Sequence, residues 1–232
     1  MRAPEPLSSD SSRLLSVLAA LRELHGAPNT DPQSAWSQIL WENCCYLADD
    51  DRRATAFALL DAKTGLEPRR ILRASDRSLL DVTMHGIVPD LFASKLRDCA
   101  QLVIDEFGGD LDDALASMND AAARRALRKF HGIGEPGAEK ILLHAHRIAT
   151  VALESNGLRV VERLGYVGAD ANYSRQWKAA RRAIAAEAPG DVRGLMEMYQ
   201  LLRRHGQTLC LRSKPCCSEC PLTGNAAQCP FP

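Results

Sequence analysis

Residues 127–141 read LRKFHGIGEPGAEKI, and this stretch indicates a tight corner between two helices. Gly132 and Gly134 flank the apolar Ile133, so the turn can adopt positive φ while the isoleucine plugs it into a core. Pro136 suits the first turn of the next helix, where its missing N–H costs little. Backbone N–H groups at the start of that helix would point outward and bind a phosphate oxygen without net charge. On this stretch alone, an ordinary helix–turn–helix corner is the alternative.

The C-terminal tail carries a second informative pattern, CLRSKPCCSECPLTGNAAQC over residues 210–229. Five of the eight cysteines lie in this segment, and hydrophobic packing does not require that density. Thiolates from one short loop can converge on a metal ion or an iron–sulfur cluster. Because the N-terminus has no apolar signal core, we expect an intracellular protein. In a reducing compartment, clustered cysteines bind metal more often than they form disulfides.

The composition is ordinary for a globular protein of 232 residues, with 46% hydrophobic residues and with 29 basic and 29 acidic side chains. A formal net charge of zero argues weakly against nucleic-acid binding, but the charges are unevenly placed. Residues 105–120 contain six acids and no base, whereas residues 203–214 contain four bases and no acid. A neutral total is therefore compatible with a basic face opposite an acidic one. No apolar run approaches the roughly 20 residues of a membrane span, so we expect no membrane partner.

Apolar residues recur at helical spacing nearly throughout the chain, and no alternating strand pattern of useful length occurs. The fold class that this predicts is all-α. Residues 31–149 are predicted to form one helical lobe, with the hairpin at about 120–149. Residues 1–30 and 150–232 are predicted to form a second lobe, which carries the cysteine loop at 210–229. With caps at 8–12, the predicted helices lie at about 14–24, 33–46, 51–63, 91–107, 120–130, 135–149, 155–164, 173–186 and 191–206.

The order of helical lobe, Gly-Ile-Gly hairpin and cysteine loop resembles the helix-hairpin-helix DNA glycosylases of the endonuclease III and adenine-mismatch glycosylase group. The resemblance covers residues from about 31 to 229. In that family, cysteines spaced Cys-x6-Cys-x2-Cys-x5-Cys surround a [4Fe–4S] cluster; here the first two intervals match and the last is eight residues long. Zn²⁺ is the alternative metal, because four thiolates suit it too. The implied ligands are Cys210, Cys217, Cys220 and Cys229, with Cys216 as a spare neighbour or the alternative second ligand.

The resemblance also implies a catalytic carboxylate. The family's catalytic Asp lies twenty residues past the second hairpin glycine, in the context Leu-Asp-Gly-Asn-Val-x-Arg-Val. Here that position is Glu154, within the segment LESNGLRV at 153–160. In the family, this group stabilises a sugar oxocarbenium or activates water against it. Glu keeps the charge but adds one methylene, about 1.5 Å of reach, and a misplacement of about 1 Å can cost on the order of 100-fold in rate.

Two departures from the family pattern restrict the chemistry. Bifunctional members carry a lysine two residues after the second hairpin glycine as the Schiff-base nucleophile, and Pro136 stands there in this chain. Because proline has no amine, the resemblance implies a monofunctional glycosylase without an imine-forming step from this position. The adenine-specific branch has an acid where Gln38 stands, and its loss argues against simple adenine excision, in which an acid protonates the leaving purine.

Residues 35–45, AWSQILWENCC, resemble the first lobe helix of the family, which runs into a DNA-facing loop. In this comparison Asn43 is the candidate for filling the gap left by a flipped base. Trp41 and Glu42 are candidates for lining the base pocket. Core packing is the alternative for Trp41, and a solvated helix face is the alternative for Glu42.

Two further groups of residues are candidates for holding the DNA backbone. The hairpin residues Gly132, Ile133 and Gly134 would do so through backbone N–H groups. Arg212 and Lys214 lie in the first part of the cysteine loop, which is basic in the family and touches the DNA backbone. A solvated loop is the alternative for these two side chains.

Three functions are compatible with these patterns. The first is a monomeric base-excision repair glycosylase, cytoplasmic and nucleoid-associated, which hydrolyses the N-glycosidic bond of a flipped base in double-stranded DNA with a damaged or mismatched base. The second is a catalytically impaired DNA-binding protein on the same scaffold, which Pro136, Glu154 and the neutral total charge favour. The third is a helical protein that a bound metal stabilises and whose function is unrelated to DNA.

Overall fold

A computed structural model of the chain describes residues 13–223 and 229–231. Within these ranges the chain is all-helical and has no strand, as predicted. A short 3-10 helix at Cys217–Glu219 follows the last α-helix. In chain order, the α-helices are α1 (Arg13–His25), α2 (Ala35–Asn43), α3 (Asp50–Thr64), α4 (Pro68–Arg73), α5 (Asp76–Thr83), α6 (Pro89–Phe107), α7 (Leu111–Ala116), α8 (Asp120–Leu127), α9 (Glu135–His144), α10 (Ser155–Arg163), α11 (Tyr173–Ile184) and α12 (Val192–Thr208).

The predicted helices are present, with ends that differ by a few residues. The helix predicted at 33–46 is α2, and the helix predicted at 135–149 is α9, which ends five residues earlier. Three short helices, α4, α5 and α7, are additional to those predicted. Pro68 is the first residue of α4, where a helix does not need its N–H. The caps predicted at 8–12 lie outside the described residues.

The chain divides into two compact units. The central lobe comprises residues 32–148, and the terminal lobe comprises the described residues before 32 and after 148. Each lobe has buried apolar residues on several of its helices. Of the helices that the structure describes, none combines the length and the hydropathy that a bilayer crossing requires.

In the central lobe, a carboxylate from α7 holds the first turn of α2. Asp112 accepts hydrogen bonds from the backbone N–H of Ala35 (2.6 Å) and from the hydroxyl of Ser34 (2.6 Å). The N–H groups of a first helical turn have no partner within the helix, and negative charge is favourable at this end. The buried Trp36 indole N–H donates to the Leu66 carbonyl oxygen at 2.6 Å. Both contacts fix the helix that carries the candidate pocket residues.

In the terminal lobe, α10 and α12 approach each other so closely that one position must be glycine. A Cβ atom on Gly206 would lie 2.5 Å from the backbone oxygen of Asn156, which is closer than real Cβ contacts. From α11, the fully buried Trp177 donates its indole N–H to the carbonyl oxygen of Leu153 at 3.0 Å. Because Leu153 precedes Glu154, the packing of the terminal lobe fixes the backbone that presents this carboxylate.

Candidate functional site

The Gly-Ile-Gly hairpin has the local geometry that its sequence predicts. Gly132 has φ of +74°, in the left-handed region that glycine adopts at little steric cost. Ile133 is buried in the central lobe, whereas the flanking glycines are exposed. Gly134 is the N-cap of α9 and provides no side-chain cap, and Pro136 lies in the first turn. This arrangement leaves a helix N-terminus and an exposed glycine backbone on the surface, as an anion site requires.

Asn43 ties the end of α2 to the hairpin. Its side chain is buried, and its amide Nδ2 donates to the carbonyl oxygens of Ile39 and His131, both at 3.0 Å. His131 in turn lies 3.1 Å from the Asp98 carboxylate through its Nε2. The structure thus gives Asn43 a positioning contact with the residue that precedes Gly132, and its role in filling the gap of a flipped base stays a prediction.

Glu42 forms an ion pair that sequence reasoning missed. Its carboxylate contacts the ammonium of Lys140 in α9, and the two side chains are 35% and 11% exposed, respectively. Lys140 lies four residues after Pro136, and positions four apart share one face of a helix. A lysine directly before the apolar run Ile141–Leu143 is the sequence signal that could have drawn attention to it. Glu42 is therefore a partly exposed carboxylate whose ion pair joins α2 to α9, and its part in a base pocket stays a prediction.

Trp41 is half-buried beside Glu42, on the last turn of α2. Its ring meets Phe57 edge to face, with the centroids 5.6 Å apart. Its carbonyl oxygen accepts a hydrogen bond from the Arg53 guanidinium at 2.9 Å. Trp41 thus packs within the central lobe, and its part in a base pocket stays a prediction.

An exposed apolar surface on the central lobe was also missed by sequence reasoning. Two segments, residues 46–47 and 84–91, meet where Ile87 N–H donates to the Tyr46 carbonyl oxygen at 3.0 Å. Six large apolar side chains on these segments are at least 45% exposed. We call them the apolar loop patch: Tyr46, Leu47, Met84, Ile87, Val88 and Leu91.

The backbone of the apolar loop patch is strained. Leu47 and Val88 have φ of +50° and +49°, a region that is rare for any residue other than glycine and a genuine outlier for a β-branched one. A Cβ atom on Gly86 would lie 2.4 Å from the Tyr46 nitrogen, so the two segments can pack this closely only with glycine there. Strain of this kind clusters at binding sites, and exposed apolar patches mark interaction surfaces.

Glu154 is the N-cap of α10. One carboxylate oxygen accepts a hydrogen bond from the Gly157 backbone N–H at 2.8 Å, and the other accepts one from the Asn156 amide at 2.9 Å. Burial raises the pKa of the neighbouring Tyr173 phenol, and the Glu154 carboxylate raises it further. The carboxylate therefore lies half-buried at a helix N-terminus, with fixed donors on both oxygens and a neutral phenol nearby.

A chain of hydrogen bonds runs from this carboxylate to the cysteine loop. The Asn156 side chain donates to Glu154 and accepts from the Arg159 guanidinium at 2.8 Å. Arg159 also donates to the carbonyl oxygens of Cys210, at 2.8 Å, and Gly206, at 2.6 Å. Residues that match the family register on α10 thus connect the candidate catalytic acid with the first candidate cluster ligand.

The candidate metal ligands share one cavity. Among its lining residues are the five cysteines at 210, 216, 217, 220 and 229, together with Arg163 and His205. Burial raises the pKa of the Cys220 thiol, a hydrogen bond from the Leu222 backbone lowers it, and negative charge on the thiols of Cys229, Cys210 and Cys217 raises it. The thiols of Cys229, Cys210 and Cys217 thus each lie near enough to influence Cys220, and whether Cys216 or Cys217 is the second ligand stays a prediction.

Positive charge surrounds the same cavity. Burial raises the pKa of the Cys210 thiol, whereas Arg163 lowers it through a hydrogen bond of 3.2 Å to the sulfur. Thiolates are the form that binds iron or zinc, so this guanidinium favours the required state. Among the described residues, no three ligating side chains are gathered as a site for a single metal ion. Arg212 and Lys214 are exposed on the loop beside the cavity.

The similarity to known proteins extends over most of the chain. No family model matches it. Endonuclease III of Sulfolobus acidocaldarius is 24% identical over 172 residues, which are 74% of this chain and 72% of that protein. Adenine DNA glycosylase of Arabidopsis thaliana is 36% identical over 103 residues, 42% of this chain and 15% of that protein. A solved structure of endonuclease III in a trapped covalent intermediate with DNA matches with a TM-score of 0.71 at 16% identity, over 90% of this chain and 92% of that one.

These comparisons confirm the resemblance to the helix-hairpin-helix DNA glycosylase superfamily. The likeness to the solved structure establishes an endonuclease III-like fold. The sequence relatives are an endonuclease III and an adenine DNA glycosylase, the two branches whose motifs the hairpin, the LESNGLRV segment and the cysteine spacing resemble.

The N-cap role of Glu154 has a consequence for stability. In Glu154→Ala, the Gly157 N–H loses its acceptor, and we expect the free energy of unfolding to fall by about 1 kcal/mol. Glu154→Gln keeps a side-chain oxygen and should lose less. Asn172→Ala is a matched variant, because Asn172 caps α11 in the same lobe through its side chain. Urea denaturation measures all three, and an unchanged midpoint for Glu154→Ala would contradict the capping role.

Proposed function

We propose that this protein is a DNA glycosylase of base excision repair, which binds duplex DNA and hydrolyses the N-glycosidic bond of a damaged or mispaired base without a lyase step. The observation that carries the proposal is the Glu154 carboxylate, held by donors on both oxygens at the family's catalytic position. The names of the sequence relatives support the general activity. Pro136 supports the monofunctional assignment, because it has no amine where the family's lyases have one.

In this reaction the Glu154 carboxylate stabilises the positive charge that develops on the sugar, or takes a proton from the attacking water. The extra methylene of glutamate makes a precise position harder to keep. The hydrogen bonds from Gly157 and Asn156 restrict the longer side chain to one orientation. We therefore infer that the capping geometry compensates for the change from Asp to Glu.

Binding to DNA is attributed to three surfaces. The exposed hairpin glycines and the N-terminus of α9 would hold a phosphate, and Arg212 and Lys214 would add charge contacts to the backbone. The apolar loop patch has the chemistry of a wedge, because apolar side chains that insert between base steps unstack and bend the duplex. Such bending exposes a base whose glycosidic bond lies out of reach inside the stack.

We further propose that Cys210, Cys217, Cys220 and Cys229 hold a [4Fe–4S] cluster. The fit rests on the one cavity that these four cysteines line together and on the guanidinium of Arg163 at the Cys210 sulfur. A cluster there would fix the conformation of the loop that carries Arg212 and Lys214. Zn²⁺ is the alternative occupant, and the optical spectrum distinguishes them: a brown protein with a broad visible band contains iron and sulfur.

Base release from single-lesion duplexes tests the enzymatic assignment. On a panel with uracil, mismatched thymine, oxidised bases and alkylated bases, at least one base should be released. Glu154→Gln should lower that rate by about 100-fold or more, because the charge that stabilises the transition state is lost, while the affinity for DNA is retained. Asn172→Ala should keep the wild-type rate, which separates loss of chemistry from loss of a helix cap. Binding without release on every duplex, unchanged in Glu154→Gln, would favour the catalytically impaired DNA-binding protein.

The absence of an amine at position 136 predicts the form of the product. The protein should leave intact abasic sites, and borohydride should not trap a covalent adduct between protein and DNA. Pro136→Lys provides the contrast, because it places an amine where the bifunctional relatives carry theirs. Efficient trapping on the unaltered protein, seen as a shifted band on a denaturing gel, would refute the monofunctional assignment.

The apolar loop patch should contribute to DNA affinity through apolar contacts and not through contacts with phosphate charges. The double substitution Leu47→Ser and Ile87→Ser should weaken binding to a lesion duplex by about tenfold, roughly 1.4 kcal/mol, and should leave the salt dependence of the affinity unchanged, because no phosphate contact is lost. Leu24→Ser removes a similarly exposed leucine from α1 and serves as the control. Equal affinities for the double variant and the control would exclude a wedge at this surface.

A further inference from the structure

His205 is a buried histidine on α12 that lines the cysteine cavity. Its exposed fraction is 1%, and its Nε2 atom lies 3.4 Å from the Sγ atom of Cys220. The backbone N–H groups of Leu209 and Cys210 both donate to its carbonyl oxygen, at 3.0 Å and 2.9 Å. The same residue therefore contacts the cysteine loop twice, through its backbone at the start of the loop and through its ring at Cys220.

The second ring nitrogen of His205 faces another histidine. The Nδ1 atom lies 3.3 Å from the Nε2 atom of His25 at the end of α1, and the two rings meet edge to face with centroids 5.6 Å apart. A neutral imidazole has one N–H and one acceptor nitrogen. If His25 donates to Nδ1, then His205 carries its proton on Nε2, which points to the sulfur. A thiolate has no proton to donate, so Nε2 of a neutral His205 must be the donor to Cys220. Nδ1 is then the acceptor, and His25 is the donor to it.

We propose that His205 is a positioning residue of the cluster site, where its Nε2–H donates a hydrogen bond to the Cys220 thiolate and His25 fixes the tautomer that makes this possible. The inference deepens the proposed function and rests on its cluster. Residues behind the ligands that donate hydrogen bonds orient those ligands, and hydrogen bonds to the sulfurs influence the electronic properties of an iron–sulfur cluster.

The proposal explains why two histidines from opposite ends of the chain meet in the terminal lobe. They are separated by 180 positions, and Cys220 lies a further 15 residues beyond the second. Apolar side chains would fill this space equally well, and burying them would avoid the desolvation cost of two polar imidazole rings. A buried thiolate, in contrast, requires polar hydrogen-bond donors beside it. The Nε2 atom of His205, 3.4 Å from the Cys220 sulfur, is placed to supply such a hydrogen bond.

Substitutions that remove or keep the donor test the inference on the full-length protein. His205→Leu removes both ring nitrogens at similar size, His205→Gln keeps an N–H donor on a side chain of similar reach, and His25→Phe removes only the partner that sets the tautomer. His144→Leu is the matched control, because His144 is also buried but does not line the cavity. The readouts are the Fe–S(Cys) stretching bands in the resonance Raman spectrum and the rate of iron release to a chelator.

We expect altered stretching bands and iron release about tenfold faster in His205→Leu, the size typical of groups behind a metal ligand. His205→Gln should lie near the wild type, and His25→Phe should shift both readouts in the direction of His205→Leu. His25→Phe also keeps the test decisive if His205→Leu does not fold. Unchanged bands and release rates in both variants would overturn the inference, as would spectroscopy that shows His205 itself bound to iron.

These readouts need no DNA substrate, so they are separate from the test of base release. A wild-type protein without iron would overturn both the cluster and the role of His205, while any measured base release would still stand. A protein that holds the cluster but releases no base would overturn the glycosylase assignment and leave the role of His205 to be decided by the Raman bands.

Discussion

The orientation of the Glu154 carboxylate depends on a partly buried charge, the guanidinium of Arg159. This arginine bonds to the Asn156 side chain and to two backbone carbonyl oxygens, and burial lowers its pKa. A cation that loses part of its hydration needs several acceptors around it. Two of those acceptors, Gly206 and Cys210, belong to the end of α12 and the start of the cysteine loop. The orientation of the acid on α10 therefore depends on the part of the chain where the cysteine loop begins.

In the central lobe, polar side chains likewise hold the hairpin in place. Two polar side chains on α2 reach out of the helix, and both find their partners near α9: Asn43 bonds to the His131 carbonyl oxygen, and Glu42 pairs with Lys140. A pair in which one member is nearly buried is costly to break from one side, because the remaining charge stays uncompensated. These contacts hold the exposed Gly132 and Gly134 in place with side chains that themselves need not touch DNA.

The sequence predicted those features that depend only on residues close together in the chain. The positive φ of Gly132, the plugging role of Ile133 and the helix start near Pro136 each depend on a few neighbouring residues. The register of family motifs singled out Glu154, which the structure shows as the N-cap of α10, and its catalytic role stays a prediction. The pairs Glu42–Lys140 and His25–His205 were not predicted, because they join residues 98 and 180 positions apart and only tertiary packing brings them together. The short helices α4, α5 and α7 were missed because six to eight residues provide too few turns for a periodic pattern.

The glycine at position 206 makes two helices interlock. A Cβ atom at position 206 would collide with the backbone oxygen of Asn156, so the backbones of α10 and α12 are in direct contact at that point. A shift of α12, which leads directly into the cysteine loop, would press on the first turn of α10, which Glu154 caps. The terminal lobe therefore joins α12 to α10 through direct backbone contact as well as through the hydrogen bonds of Arg159.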